Sequence, residues 1–516
     1  MNKWRSYLLA GVFLTSLLIR ISAIWGYNFP FTYDQGRDMA DLRHMVVTHQ
    51  PKLTGPTTSI NGVHLGPFWY YFLLPSFIVG AGDPMAIMIW QIIWYQISGL
   101  FLWWVLSKTS ENLGLMTAIL FLFMPVGFNI NRYFWNANAM VMFTAFFFGT
   151  LFFFLQKQTK KRSIFLGIIT GLCLQIEAAF GVLFLPFVLL TYLVKKEKLK
   201  NYLHLILGFL ITIIPQLLFE IRHGFSMTKL LIVQLAGEGE VLGAKMTPLE
   251  RLTERQSELT MRIIQLSHLH PTEIKTILLV SIVIGGLMII KGIKKFPKQH
   301  YLVSLSFTLL SLLFYLIYPQ KLKYWYILGL SVPLILLVSI FLSWLLEIKN
   351  KGIRVLAYLI VFLHVYFGLS AQLEYLKNLN PISDDPSNLR NQLETIDWVY
   401  MEAKGGAFKV YSFVPSIYDH NYHYLFWWYG TKTYGYQPSE VAYLPDQPEY
   451  IQDEGVLWNK TKTFTDQSSI FLIIENKSSE RFPGWNGQFV KLCPEKEITF
   501  PFPLTAVKLN TCTSNK

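Results

Sequence analysis

Eleven stretches of this chain are long and apolar enough to cross a lipid bilayer, and that repetition constrains the fold more than any other feature. They lie at about 7–25, 86–106, 113–127, 139–155, 163–178, 180–194, 202–218, 274–290, 300–317, 324–346 and 354–370. A bilayer offers no partners for backbone N–H and C=O groups, so each stretch is expected to be helical. Composition agrees. Of the 516 residues 52% are hydrophobic, 15% are charged and 40 are Phe, more apolar surface than a soluble core of this length buries. A further apolar stretch, PFWYYFLLPSFIVG at 67–80, is short and carries Pro75, which suits an interfacial or re-entrant segment better than a crossing. The first stretch follows Lys3 and Arg5 with no small-residue cleavage site after it, so it reads as a retained helix rather than a removed signal peptide.

The connections carry the orientation. If 67–80 does not cross, the connections at 107–112, 156–162 (QKQTKKR), 195–201 (KKEKLKN), 291–299 (KGIKKFPKQ) and 347–353 (EIKNKGI) all share the side of the N-terminus, and they are the basic ones. The alternating set, 26–66, 128–138, 219–273 and 318–323, is poorer in Lys and Arg for its length. The positive-inside rule then places the N-terminus in the cytoplasm and the C-terminus outside. The net charge of +13 is on this reading an orientation signal; membrane lipids are expected partners and nucleic acid is not.

Near residue 371 the composition turns polar, dividing a membrane domain (1–370) from a water-soluble extracytoplasmic one (371–516). FKVYSFVP (408–415) and SIFLIIEN (469–476) have the aromatic and β-branched content of buried strands, and PSNLRNQLETIDWVYMEA (386–403) has helical spacing, so a small α/β domain is expected. Of three cysteines, Cys173 lies in an apolar stretch, while Cys493 and Cys512 could pair only in an extracytoplasmic tail. In the 219–273 connection, TPLERLTERQSELTMRIIQL sets Leu249, Leu252, Leu259 and Ile263 at the spacing of an amphipathic helix on the outer membrane face. The fold expected is a multi-pass α-helical membrane protein with surface amphipathic helices and this α/β tail.

The residues that could carry chemistry gather in the outer connections. FTYDQGRDMADLRHMV (31–46) places Asp34, Arg37, Asp38, Asp41, Arg43 and His44 directly after the first apolar stretch, and Met39, Leu42, Met45 and Val46 recur at helical spacing. Asp34, expected just before that helix at the exit of the first stretch, reads either as a general base or as a helix cap. The turn-rich LTGPTTSINGVHLGPFWYYFLLP (53–75) is a fixed loop whose hydroxyls and His64 line a polar pocket, or a surface loop anchored by aromatics. LQIEAAF puts Gln175 and Glu177 at a membrane boundary, facing a cavity or snorkelling to headgroups. FEIRHGF (219–225) and YPQKLKYWY (318–326) place Arg222, His223, Lys321, Lys323 and Tyr324 at the same level, suited to a lipid-linked phosphate or to anionic headgroups. NINRYFWNANAM (129–140) adds Arg132, Trp135, Asn136 and Asn138, a fair sugar-binding surface. No Walker A run, Cys/His metal spacing, Gly-x-Ser-x-Gly or dinucleotide fingerprint appears.

These features, together with YDHNYHYLFWWYG in the tail, resemble bacterial membrane glycosyltransferases of the GT-C class, in the branch related to protein O-mannosyltransferases and aminoarabinose lipid A transferases. The resemblance implies that Asp34 is the catalytic carboxylate of an inverting transfer. The sugar would come from a polyprenyl-phosphate donor and pass to a lipid, glycan or protein acceptor on the extracytoplasmic face. It implies that Arg37, Arg222, Lys321 and Lys323 hold the departing phosphate, that His64, Gln175, Glu177, Asn136 and Tyr324 contact substrate, and that no cofactor or metal is obligatory. The chain departs from the pattern at Gln35, where relatives often have Glu, at 128–138, which lacks a second acid, and at Glu177, where relatives often have His. Two other readings compete: a transporter or flippase of lipid-linked sugars, marked by ionisable groups in discontinuous mid-bilayer helices, and an envelope scaffold in which Asp34 only caps a helix.

Overall fold

The computed structural model describes residues 3–235, 247–293, 296–318, 321–379, 383–445 and 469–512. All eleven apolar stretches are mainly helical, with breaks at Met124 in 113–127, at Glu177 in 163–178 and at Val182–Leu183 in 180–194. Among the described residues eight helices are long and apolar enough to cross a membrane, from Lys3–Tyr27 to Lys351–Lys377, with shorter apolar helices at Phe68–Val79, Glu111–Phe123 and Ala178–Val194. The twelve residues of Phe68–Val79 rise only about 18 Å, well short of a hydrocarbon core of about 30 Å.

By contacts the chain forms two compact units. The first comprises Met1–Ile21, Lys52–Phe72 and Trp90–Glu374. At its centre the helices Ser331–Glu347 and Asn136–Gln156 are buried almost all round, whereas Leu199–Arg222 turns Leu203, Leu207, Leu210 and Ile214 outward, as a lipid-facing helix does. Close approach inside the bundle depends on small residues. A Cβ added at Gly167 would lie 2.0 Å from the Leu205 carbonyl oxygen, and one at Gly208 would lie 2.1 Å from that of Ile164. One buried cation also has a structural cause. Pro125 follows the end of the Glu111–Phe123 helix, and Arg20 donates to the Leu122 carbonyl (2.7 Å) and to the Ser16 carbonyl (3.1 Å), with its guanidinium 5.0 Å from the Tyr95 ring centroid. A cation at a helix C-terminus meets the negative end of the dipole, which offsets part of its desolvation.

The second unit comprises Ser22–Pro51, Leu73–Ile89 and Tyr375–Lys516. Its sheet has the order β2-β1-β3-β5-β4, with β1 Phe408–Phe413, β2 Glu440–Ala442, β3 Ser469–Ile474, β4 Leu492–Thr499 and β5 Thr505–Thr511. Strand β1 runs parallel to β2 and β3 (Phe408 beside Ser469), and β3 runs antiparallel to β5 (Leu472 beside Val507). The central β1 and β3 are the two strands legible as apolar runs. Edge strand β4 (LCPEKEIT) is exposed, with a bulge near Pro494 and charges that discourage further pairing. A Cys493–Cys512 disulfide joins the open end of the β4–β5 hairpin. The helix Leu389–Ala403, capped by the Asn388 side chain, lays Trp398 edge-on against Phe471.

Two segments from early in the chain are built into this unit. The Phe31 N–H donates to the Ser387 carbonyl (2.7 Å), the Leu389 N–H to that of Phe29 (2.9 Å), and the Gln392 amide to that of Phe31 (3.1 Å). In the 73–89 segment the Gly82 carbonyl accepts from the Tyr424 hydroxyl (2.5 Å) and Asp83 from that of Tyr27 (3.0 Å).

Candidate active site

The helix Tyr33–Thr48 starts with a capping box. Both the N–H and the hydroxyl of Thr32 donate to the Gln35 side-chain oxygen (2.9 and 2.7 Å). The cap is thus supplied by Thr32 and Gln35, and Asp34 stands inside the first turn with its side chain 28% exposed. Its Oδ1 lies 3.0 Å from Nη1 of Arg37. The same guanidinium holds the fully buried Asp38 through Nε (3.0 Å) and Nη2 (2.8 Å). Burial raises the Asp34 carboxyl above the usual carboxylate range, with Arg37 pulling the other way. A phosphate reaching Arg37 would share it with two carboxylates.

The apolar face of this helix, Met39, Leu42 and Met45, is buried. Its partner in the unit is the tail motif at 418–430. At Gly36 the two backbones come so close that a Cβ would lie 2.3 Å from the Asn421 nitrogen, and two turns further on Arg43 sits 5.1 Å from the Trp427 ring centroid. In the motif, Asp419 is fully buried and neither of its carboxylate oxygens has a hydrogen-bond partner among the described residues. Burial pushes it up to about 7. His420 is pushed down to about 4, by burial first and Arg37 second, with Asp41 opposing.

In the first unit the 53–67 loop is a tight antiparallel turn, with Gly55 N–H to Leu65 carbonyl (2.8 Å) and Thr58 N–H to Val63 carbonyl (3.0 Å). His64 is held by its main chain, its N–H on the Met227 sulfur (3.4 Å) and its carbonyl on the Gln216 amide (3.3 Å). Gln175 clamps the end of the loop, accepting from the Phe68 N–H (3.1 Å) and donating to the Thr212 carbonyl (2.6 Å). Asn136 and Asn138 likewise donate to the carbonyls of Ile176 and Tyr133, both at 2.8 Å. Glu177 is buried at the break between the helices Lys160–Ile176 and Ala178–Gly181, accepting from the Ala179 N–H (3.3 Å). The phenols of Tyr315, Tyr318 and Tyr326 lie within reach of its charge. The Tyr326 hydroxyl meets the Ser59 hydroxyl at 3.0 Å, so the loop and this patch form one polar surface.

Of the cations named from sequence, Arg222 and Lys321 are exposed, Lys323 lies 5.0 Å from the Trp325 ring centroid, and Tyr324 is half-exposed beside it. Two arginines escaped the sequence reading. Arg255 and Arg262 are buried on the same face of the helix Pro248–Ile264. Arg255 donates to the carbonyls of Tyr315 (3.0 Å) and Tyr318 (3.2 Å) and pairs with Glu254, which accepts from the Leu322 N–H (3.2 Å). Arg262 lies near Glu258 and the Tyr324 phenol, and its Nε has no partner among the described residues. Leu249 and Leu252 remain 74% and 52% exposed, so this helix shows its arginines to the protein and leucines outward. The seven-residue spacing of 255 and 262 was the available signal; the leucine pattern, equally periodic, drew the reading instead. Among the described residues no group of three His, Cys, Asp or Glu side chains is placed to hold a metal.

Residues 65–219 match the family described as dolichyl-phosphate-mannose-protein mannosyltransferase. No curated protein matches the chain. Among solved structures it is similar to ArnT from Cupriavidus metallidurans in the apo state, with 11% identity, 98% of each chain covered and a TM-score of 0.60. The undecaprenyl-phosphate-bound form of that protein matches with 10% identity, the same coverage and a TM-score of 0.58. Over 98% of its length the chain therefore has the fold seen in ArnT, and the match to the mannosyltransferase family lies within its membrane helices, at residues 65–219.

Proposed function

We propose that this protein transfers a sugar from a polyprenyl-phosphate donor to an acceptor hydroxyl on the extracytoplasmic face, with Asp34 as general base. Asp34 accepts the hydroxyl proton, the acceptor oxygen bonds to the anomeric carbon from the side opposite the phosphate, and the sugar–phosphate bond breaks with inversion. The phosphate leaves with an added negative charge. Arg37, Arg222, Lys321 and Lys323 are the cations suited to it, and Arg262, buried with its Nε lacking a partner among the described residues, is a further candidate. His64, Gln175, Glu177, Asn136 and Tyr324 are the substrate-contact candidates; Glu177 carries the strongest case, because the amides of Gln175 and Asn136 bond to backbone. The tail domain, 371–516, would shape the acceptor side.

The observation that carries this reading is the state of Asp34: a carboxylate free of the capping task, part-exposed, with raised proton affinity and one cation to fix its direction. The undecaprenyl phosphate named in the ArnT complex supports the donor class. A transport role has less support, since the buried ionisable side chains Arg20 and His364 in apolar helices are tied to carbonyls and serine hydroxyls.

The test is sugar release from a panel of polyprenyl-phosphate sugars by the full chain in lipid nanodiscs. Replacing Asp34 by Asn is expected to lower turnover by about 10²–10⁴-fold while donor binding persists. Equal turnover in the two proteins would remove Asp34 from the chemistry. Transbilayer movement of labelled donor without sugar release would favour transport.

A further inference from the structure

Beside Asp34 the second unit presents three aromatic rings in mutual contact. Tyr33, the residue before Asp34, has its ring centroid 5.2 Å from that of His420 and 5.8 Å from that of Tyr418. Tyr418 and His420 are stacked, 5.8 Å apart and within 7° of parallel. The Arg37 guanidinium, already bonded to Asp34, lies 5.5 Å from the Tyr33 centroid. The rings thus continue directly from the carboxylate pair rather than forming a separate core.

Their exposure is unusual for such a contact. Tyr418 keeps 47% of its surface accessible, and Tyr33 and His420 are only part-buried. The backbone that presents Tyr418 is strained: Ile417, a β-branched residue, has φ of +70°. The strained turn is bridged by the Ile417 N–H to the Val414 carbonyl (3.2 Å) and the Ser416 hydroxyl to the Tyr418 carbonyl (2.9 Å). A solvent-facing tyrosine held at a conformational cost needs another reason than packing. On the other side, the absent side chain at Gly36 lets the 420–421 backbone touch the first helical turn, which fixes His420 close to Tyr33. His420 is neutral near pH 7, so it offers a flat ring and not a second cation.

A sugar ring has matching chemistry. One face displays C–H groups, which pack on aromatic rings, and its rim displays hydroxyls, which bond to carboxylate and guanidinium. We infer that Tyr33, Tyr418 and His420 form the wall on which a saccharide ring of the acceptor lies, its C–H face against the rings and one hydroxyl directed to Asp34. The inference rests on Asp34 being the base of the proposed transfer, and it narrows the acceptor class to a glycan or a glycan-bearing molecule.

Saturation-transfer NMR on the full chain in nanodiscs tests it, with methyl α-glucopyranoside, methyl α-mannopyranoside and N-acetylglucosamine as probes. At least one should receive saturation at its ring C–H protons. Tyr418→Ala should weaken that probe by roughly 2- to 10-fold, and Tyr418→Phe, which keeps the ring, should leave it within about 2-fold. Donor affinity and thermal midpoint should stay unchanged in both variants. No saturation of any probe in the wild type, or equal saturation in Tyr418→Ala, overturns the wall; so does a loss of donor affinity in its place. The two readings fail separately. Probe binding that depends on Tyr418 alongside turnover indifferent to Asp34→Asn keeps the wall and sinks the base, and the opposite pair of results does the reverse.

Discussion

Asp34 and Glu177 are both carboxylates at helix ends, yet their surroundings differ in kind. Asp34 touches solvent and an arginine at 3.0 Å. Glu177 is buried with one backbone N–H at 3.3 Å and three phenols within reach of its charge. A base that cycles a proton needs access to a substrate hydroxyl and a cation to hold its direction. A buried acid among hydroxyls is better fitted to recognise hydroxyls than to exchange protons. The difference teaches that environment, not residue type, sets what each of two acids in one protein is fitted to do.

The comparison can be broken by exchanging losses. Asp34→Asn should cost about 10²–10⁴ in kcat, whereas Glu177→Gln should act mainly on KM and on discrimination among donor sugars; a larger kcat loss at Glu177 would reverse the assignment. Asp419 gives a third environment, a buried carboxylate whose oxygens have no hydrogen-bond partner among the described residues. Its folded pKa of about 7 lies above the unfolded value, so the stability it contributes is full below the unfolded pKa and is lost as pH rises through 7. Asp419→Asn should therefore stabilise the protein by about 2–4 kcal/mol at pH 8 and by almost nothing at pH 4, read from denaturation midpoints across pH. Arg262→Gln should raise the donor KM by roughly 10- to 100-fold with kcat less affected, as loss of a charge-assisted bond to phosphate predicts. The smallest expected effect is at Arg37. Without its cation the Asp34 carboxyl should titrate at still higher pH, so in Arg37→Gln the acid limb of the pH–rate profile should move upward; an unmoved limb would detach Asp34 from that profile.

The membrane helices were legible because each needs some twenty apolar residues in a row, a signal that no other demand on the chain imitates. Strands β1 and β3 were legible for a related reason, being buried on both faces. Strands β4 and β5 were not, since LCPEKEIT is solvated and its pairing depends on neighbours rather than on itself. At the site, Asp34 and Arg37 stood out by charge, but TYDQ at 32–35 is also a capping-box pattern, and Thr32 with Gln35 takes the capping task that the sequence had left open to Asp34. The packing of the 33–48 helix on the tail motif could not be read, because Gly36 marks a close approach without naming what approaches. Arg255 and Arg262 stayed hidden within an amphipathic stripe of which Leu249 and Leu252 turn out to face away from the protein.

The second unit is threaded from three pieces of chain, 22–51, 73–89 and 375–516, and so it has an order in time as well as in space. Residues 90–374 separate the first two pieces from the third, which at ~5–20 residues per second means roughly 15–60 s of synthesis. Throughout that interval Met39, Leu42 and the Asp38–Arg37 pair wait without the tail helix that will cover them. A newborn chain of this protein thus has to be guarded until its last quarter emerges, and a chain released early would leave the helix at 33–48 uncovered.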